Sequence, residues 1–138
     1  MSDFNDTDYI VAQTEDIMVS AYPEQLDSED NRFELWAYCL RIENNSDERI
    51  RLLRKDFCIT DSYGNNHYEL GEGFDGELPD VEAGEYFEYE DTAVIDGRAA
   101  VLYGYCIAQK ADGTIFKIAL PLMQLSTANP HPNKFALN

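Results

Sequence analysis

The sequence lacks the features of a membrane or secreted protein. No apolar run approaches the roughly 18 residues of a membrane-spanning helix. The chain also has no positively charged stretch followed by an apolar one at its beginning, which is the pattern of a signal peptide. We therefore expect no membrane insertion and a cytoplasmic location.

Positive charge is also scarce. Ten lysines and arginines stand against 27 aspartates and glutamates, which gives a formal net charge of -17. A surface of this sign repels nucleic-acid phosphates and anionic lipids. The same chain is 44% hydrophobic and 12% aromatic, which is too apolar for a disordered acidic segment. Its 138 residues predict one folded domain with an acidic surface and with no nucleic-acid or membrane partner.

Residue pairs that support nucleophilic or zinc chemistry are missing. The three cysteines, Cys39, Cys58 and Cys106, lie far apart in apolar segments, which predicts buried free thiols. His67 and His131 have no cysteine or histidine at zinc-binding spacing. No serine lies in a Gly-x-Ser-x-Gly turn. We predict that the chain is not an enzyme and that it holds no cofactor.

Alternation of apolar and polar residues dominates the chain, as in half-buried β-strands. Residues 33–43 form the longest such segment, and we expect Trp36, Tyr38, Leu40 and Ile42 on one of its faces to be core. Further strands are predicted at 17–22, where we expect Pro23 to end an edge strand, and at 50–53, 57–60, 85–90, 101–108 and 114–120. The segment 110–113 contains Gly113 and predicts a hairpin between the last two.

Short strands separated by turn residues predict an all-β sandwich of about seven antiparallel strands. The likeness to immunoglobulin-like domains is one of architecture, because the Cys-Trp-Cys pattern of antibody domains is absent. We expect an acidic N-terminal tail at 1–14, the sandwich domain at 15–126 and a C-terminal arm at 127–138.

The glycines Gly71, Gly73 and Gly76 match the Gly-x-Gly-x-x-Gly pattern of dinucleotide-binding loops. That pattern needs a helix after the third glycine, because the helix N-terminus holds the pyrophosphate. Here Glu77 and Pro79 follow at once, and residues 56–97 contain thirteen acidic residues and no lysine or arginine. A sharp backbone turn between two strands is favoured over phosphate or nucleotide binding, which stays as an alternative.

Acidic residues cluster at two places, and hard cations such as Mg²⁺ bind clustered oxygen atoms. The clusters are Asp27, Glu29 and Asp30, and Glu72, Asp75 and Glu77. Neither has the spacing of an EF-hand. A solvated acidic face is favoured, and a divalent-cation site at Glu72, Asp75 and Glu77 is the alternative.

Phe74 lies between two glycines on this loop. If it is exposed, an aromatic side chain ringed by carboxylates suits contact with a basic protein partner. The equally weighted alternative is that Phe74 folds back and caps the end of the sandwich.

Several segments resemble the ApaG domain family. The Gly71-x-Gly73-x-x-Gly76-Glu77-x-Pro79 segment, followed by Ala83-Gly84-Glu85, is similar to the most recognisable part of that family, and the resemblance extends over residues 17–125. It implies a fibronectin type III-like β-sandwich. Two departures stand out: Asp56 and Phe57 occupy positions where members usually carry histidine and tryptophan, and residues 99–105 replace a Gly-x-Met-x-Gly-x-Tyr pattern.

The resemblance also bears on function. Bacterial members of the family are associated with cobalt resistance and magnesium efflux, and related domains in eukaryotic proteins bind protein. It thus implies a non-enzymatic protein-interaction module. We expect a monomer or a homodimer, since exposed sheet edges allow two copies to pair. The alternative is a protein that responds to Mg²⁺ or Co²⁺. The predicted binding loop comprises Gly71, Gly73, Phe74, Gly76, Glu77 and Pro79.

Overall fold

The structure is a computed structural model that describes residues 8–26 and 33–126. These residues form ten β-strands: β1 Ile10–Thr14, β2 Ile17–Leu26, β3 Phe33–Asn44, β4 Ile50–Asp61, β5 Asn66–Glu72, β6 Asp80–Val81, β7 Tyr86–Asp96, β8 Ala99–Lys110, β9 Ile115–Ala119 and β10 Met123–Ser126. Within the described ranges there is no helix long and apolar enough to cross a membrane.

The strands form two antiparallel sheets. The first sheet has the order β1-β2-β3-β7, and the second has the order β10-β8-β4-β5, with β9 beside β8 and β6 beside β4. Both sheets turn one face inward, and the inward side chains form a single hydrophobic core. This arrangement confirms the predicted all-β sandwich.

The predicted core face of β3 is confirmed. Trp36, Tyr38, Leu40 and Ile42 are all buried, the last three completely. The three cysteines are free and buried, as predicted. The predicted hairpin is also present: β8 and β9 pair antiparallel, and the backbone N–H of Lys110 donates to the carbonyl of Thr114.

The described residues form ten strands where about seven were predicted, and the differences include the following three elements. Residues 50–53 and 57–60 belong to one strand, β4, because a bulge between Leu52 and Arg54 shifts the alternation without ending the strand. Part of the expected N-terminal tail forms strand β1. Pro23 does not end β2, which continues to Leu26 and lies between β1 and β3. Proline is tolerated there because β1 pairs with β2 only as far as Ala21.

Some predicted features lie outside the described residues. They are the acidic cluster of Asp27, Glu29 and Asp30, the C-terminal arm at 127–138 with His131, and most of the N-terminal tail.

Candidate binding seam at one side of the sandwich

The glycine-rich loop is a miniature hairpin. The backbone N–H of Phe74 donates to the carbonyl of Glu77 at 2.7 Å, and the N–H of Glu77 donates back to the carbonyl of Phe74 at 3.1 Å. The two residues between them, Asp75 and Gly76, have φ angles of 55° and 84°. Two consecutive left-handed residues define the tight turn that an Asp-Gly pair favours.

This geometry does not support phosphate binding by the loop. The N–H groups of Gly73, Phe74 and Glu77 all donate to backbone carbonyls, Gly73 to that of Leu53. In the described part of the chain the loop leads into strand β6 instead of a helix. The dinucleotide geometry, which needs a helix N-terminus, is therefore not formed.

Phe74 is buried, with 1% of its surface exposed. Its ring packs edge-to-face on Phe87 at 5.5 Å and on Tyr89 at 5.0 Å between ring centroids. The expectation of an exposed aromatic contact at Phe74 is therefore wrong, and the capping alternative is correct. The physical reason is that the tight turn directs Phe74 inward beyond the end of β5, where apolar side chains of β7 receive it.

The acidic side chains of the loop point into solvent. Glu72, Asp75 and Glu77 are all exposed. Among residues 8–26 and 33–126, no group of three or more acidic, histidine or cysteine side chains is close enough together to hold a metal ion. The three candidate metal ligands are thus not assembled into a site.

Pro79, the last residue of the predicted binding loop, accepts a hydrogen bond at its carbonyl from the N–H of Leu52.

A chain of polar contacts joins the two sheets beside Phe74. The ammonium of Lys55 on β4 donates to the hydroxyl of Tyr89 on β7 at 2.7 Å, and this hydroxyl donates to Asp91 at 3.0 Å. The same ammonium lies 4.8 Å from the centroid of the Tyr89 ring and 5.8 Å from that of Phe74. Lys55 is thus held by a phenol oxygen and by two aromatic faces.

Two carboxylates lie next to Lys55 and Tyr89 on the inner faces of the two sheets. Strand register places Glu69 of β5 opposite Phe57 of β4, and Asp91 of β7 opposite Tyr38 of β3. Tyr38 and Phe57 meet across the sandwich with ring centroids 6.3 Å apart. Residues opposite each other in a strand pair share a face. Glu69 and Asp91 therefore flank the Tyr38–Phe57 contact, one on each edge strand. We call this side of the sandwich the open seam and define it by Tyr38, Lys55, Glu69, Tyr89 and Asp91.

The electrostatics of the open seam follow from burial and from its acidic residues. Burial, followed by the charge of Asp91, raises the pKa of Glu69. Burial also raises the pKa of Tyr38 and of Tyr89, so both phenols keep their protons at neutral pH. The Tyr38 hydroxyl is buried and has no hydrogen-bond partner among residues 8–26 and 33–126.

The outer face of the second sheet carries large side chains in register. Cys58 of β4 lies between Tyr68 of β5 and Tyr103 of β8, and in the adjacent row Asp56 lies between Leu70 and Tyr105. Tyr68, Leu70 and Tyr103 are exposed by 61%, 53% and 40%. We call this surface the docking face and define it by these six residues.

The two departures from the family pattern lie opposite each other in this sheet. Asp56 pairs with Tyr105, and Phe57 pairs with Gly104. Phe57 is fully buried. Gly104 has a φ of 137°, and a Cβ atom at this position would collide with the carbonyl oxygen of Asp56. Phe57 is therefore a core residue, while Asp56 belongs to the docking face.

The sequence prediction identified Tyr38 as a core residue but did not identify the open seam. One signal was present: the inward positions of β7 run Phe87, Tyr89, Asp91 and Ala93, and a carboxylate in such a row is unusual. The inward position of Lys55 could not be predicted from the alternation of the sequence, because the bulge at Leu53 brings Lys55 onto the inner face.

The fold and the candidate site define a small antiparallel β-sandwich with an exposed aromatic face and a polar seam between two edge strands. The chain belongs to the ApaG domain family, whose model matches residues 23–110. It is 32% identical over 120 residues to Protein ApaG of Sinorhizobium fredii, covering 84% of this chain and 92% of the relative. The identity to Protein ApaG of Proteus mirabilis is 34% over 107 residues, or 78% and 86% of the two chains.

Solved structures show the same fold. The Bordetella pertussis protein described as ApaA has a TM-score of 0.77 at 21% identity, with 83% of this chain and 95% of that chain covered. A structural genomics target solved by X-ray diffraction has a TM-score of 0.79 at 22% identity, with 87% and 94% covered. These structures confirm the sandwich architecture.

Proposed function

We propose that the chain is a non-enzymatic protein-interaction module that binds its partner through the docking face. The observation that carries the proposal is the register of this face. It places two tyrosines on either side of Cys58, and a leucine and a third tyrosine on either side of Asp56. Tyrosine is enriched in protein interfaces, because it buries a large apolar area and still offers a hydroxyl.

Exposure supports this surface over the glycine-rich loop that the sequence suggested. Phe74 is buried and not available to a partner, whereas Tyr68 and Leu70 expose more than half of their surface. Leu78, at 48%, is the large apolar side chain that the loop itself presents. Contiguous apolar exposure of this kind marks interaction sites on small domains.

Charge indicates the kind of partner. The chain carries a formal charge of -17, so that its field attracts basic proteins and accelerates their association. On the docking face Asp56 lies between Leu70 and Tyr105. A partner with an apolar patch bordered by lysine or arginine fits this pattern.

The thiols support a non-enzymatic role. All three cysteines are buried. Burial raises the pKa of Cys39 and raises that of Cys106 to about 12. A cysteine nucleophile needs the opposite shift, because the thiolate is the reactive form.

Site-specific photo-crosslinking tests the proposal. A photoreactive phenylalanine analogue at position 68 or 103 should give the same discrete adduct in cells, and an adduct of two copies would identify a homodimer. The same analogue at Val94 is the matched control, because Val94 lies on the first sheet and is 59% exposed, against 61% for Tyr68. Leu70→Asp should abolish the adduct formed from position 103 without lowering the melting temperature. Equal adducts from all three positions, or an unchanged yield in Leu70→Asp, would contradict the docking face.

A further inference from the structure

We infer that the open seam binds an organic cation, an alkylammonium or guanidinium group. The carboxylates of Glu69 and Asp91 and the phenol oxygen of Tyr38 would accept its hydrogen bonds. The inference concerns the inner side of β5 and β7, so it does not rest on the docking face proposed above.

The first step is the placement of the two carboxylates. Glu69 and Asp91 occupy inward positions on edge strands of opposite sheets, in the row that contains the Tyr38–Phe57 contact. Both are partly buried. Neither forms an ion pair with a lysine, arginine or histidine of the described residues within 4.0 Å. Two partly desolvated like charges are costly to hold together; the Lys55 ammonium offsets part of that cost at Glu69, and a further cation between the carboxylates relieves more of it.

The second step is the Tyr38 hydroxyl, which independently points to a ligand. Tyr38 has 0% exposure, and within the described chain its hydroxyl has no hydrogen-bond partner. It faces this acidic row, since Asp91 is its register partner and the charges of Asp91 and Glu69 act on it. A buried polar group without a partner is costly. The phenol oxygen can accept from an N–H donor, which is what an ammonium or guanidinium group provides.

The third step distinguishes this cation from other ligands. The described residues contain no cluster of three ligands that could hold a metal ion, which disfavours a divalent metal. An anion would meet two carboxylates. A nitrogen cation needs only hydrogen-bond acceptors at about 2.7–2.9 Å from its donors, which two carboxylates and a phenol supply.

The cation has two possible sources, a free amine and the side chain of a protein. The probes are agmatine, which is a free guanidinium amine, and the capped peptide acetyl-Gly-Arg-Gly-amide. Tetramethylammonium is the control, because it carries the charge without an N–H donor. Binding is followed by the backbone amide NMR shifts of β5 and β7 at constant ionic strength. Tighter binding of agmatine indicates a free amine, and tighter binding of the peptide indicates a side chain.

Variants locate the site. We expect Asp91→Asn and Glu69→Gln each to weaken binding of the better probe at least tenfold. Glu90→Gln removes one charge from the exposed face of the same strand and should change the affinity less than twofold. Tyr38→Phe should weaken binding severalfold while leaving the protein folded. Equal weakening by Glu90→Gln and Asp91→Asn, shifts with tetramethylammonium as large as those with the probes, or no saturable shift with either probe would overturn the inference.

Discussion

The two sides of the sandwich are closed by different means. On one side β1, β9 and β10 bring the sheets together: β10 contacts β2, β1 contacts β9, and the backbone N–H of Ala119 donates to the hydroxyl of Thr14. Met123 and Leu125 are fully buried there. On the other side, edge strands β5 and β7 are not paired with each other. Phe74 fills one part of that side, and the polar residues of the open seam line the next.

The difference shows which side of the sandwich has polar side chains at inward positions in place of apolar ones. On the first side the interior is closed by fully buried apolar side chains, and the polar contact of Ala119 with Thr14 lies at its exposed margin. Inward charges on edge strands protect them against pairing with other chains. That protection needs only charge, however, and does not account for the buried Tyr38 hydroxyl, which has no partner in the part of the chain that the structure describes. The open seam is therefore the part of the core where binding, more than stability, explains the choice of residues.

Phe74 is the apolar residue that closes this second side, so its removal has the largest expected effect. We expect Phe74→Ala to lower the free energy of unfolding by about 3 to 5 kcal/mol, because a large buried ring leaves a cavity against Phe87 and Tyr89. Urea denaturation followed by fluorescence measures the change.

Leu78→Ala is the matched control for Phe74, since Leu78 lies on the same loop and is 48% exposed. It should change stability by less than about 0.5 kcal/mol. If Phe74→Ala cost no more than Leu78→Ala, the loop would not seal the second side, and the contrast between the two sides would be lost.

How much of this could be read from the sequence depends on the range of the contacts involved. The core face of β3 and the hairpin after Lys110 were predicted because alternation and turn residues are local signals. The position of Phe74 was left open between exposure and capping, because its burial depends on β7, which follows later in the chain. The Lys55–Tyr89 bond joins residues 34 positions apart, and no local pattern reports such a pairing.

Removing the hydroxyl from each of the two buried tyrosines of the open seam should change the free energy of unfolding in opposite directions. Tyr89→Phe loses the bonds to Lys55 and Asp91 and should cost about 1.5 to 3 kcal/mol. Tyr38→Phe loses no partner among the described residues and should stabilise the protein by about 1 kcal/mol. Thermal and urea unfolding of both variants measure the sign. Destabilisation by Tyr38→Phe comparable to that by Tyr89→Phe would show that the Tyr38 hydroxyl is satisfied within the fold.

The smallest expected effect is a pH dependence of opposite sign in two acidic residues of the second sheet. Burial, followed by the charge of Asp91, raises the pKa of Glu69 above its ordinary 4.5. The folded state then holds the Glu69 proton more tightly than the unfolded state, so this group's favourable contribution is complete below pH 4.5 and is lost as the pH rises through the raised pKa. Hydrogen bonding to Arg51 lowers the pKa of Asp80 below 3.8, so its contribution is present above 3.8 and is lost as the pH falls through the lowered pKa.

Unfolding at a series of pH values from 3 to 8 separates the two groups. Glu69→Gln should gain stability relative to the unsubstituted protein as the pH rises above about 4.5, by less than about 1 kcal/mol, because the carboxyl is only partly buried and is screened by solvent. Asp80→Asn should lose stability relative to the unsubstituted protein over the rise from pH 3 to 5. The stability difference between Glu69→Gln and the unsubstituted protein could instead change with pH in the same direction as that of Asp80→Asn. Glu69 would then be paired with a cation of the protein itself, and the open seam would not need a bound cation.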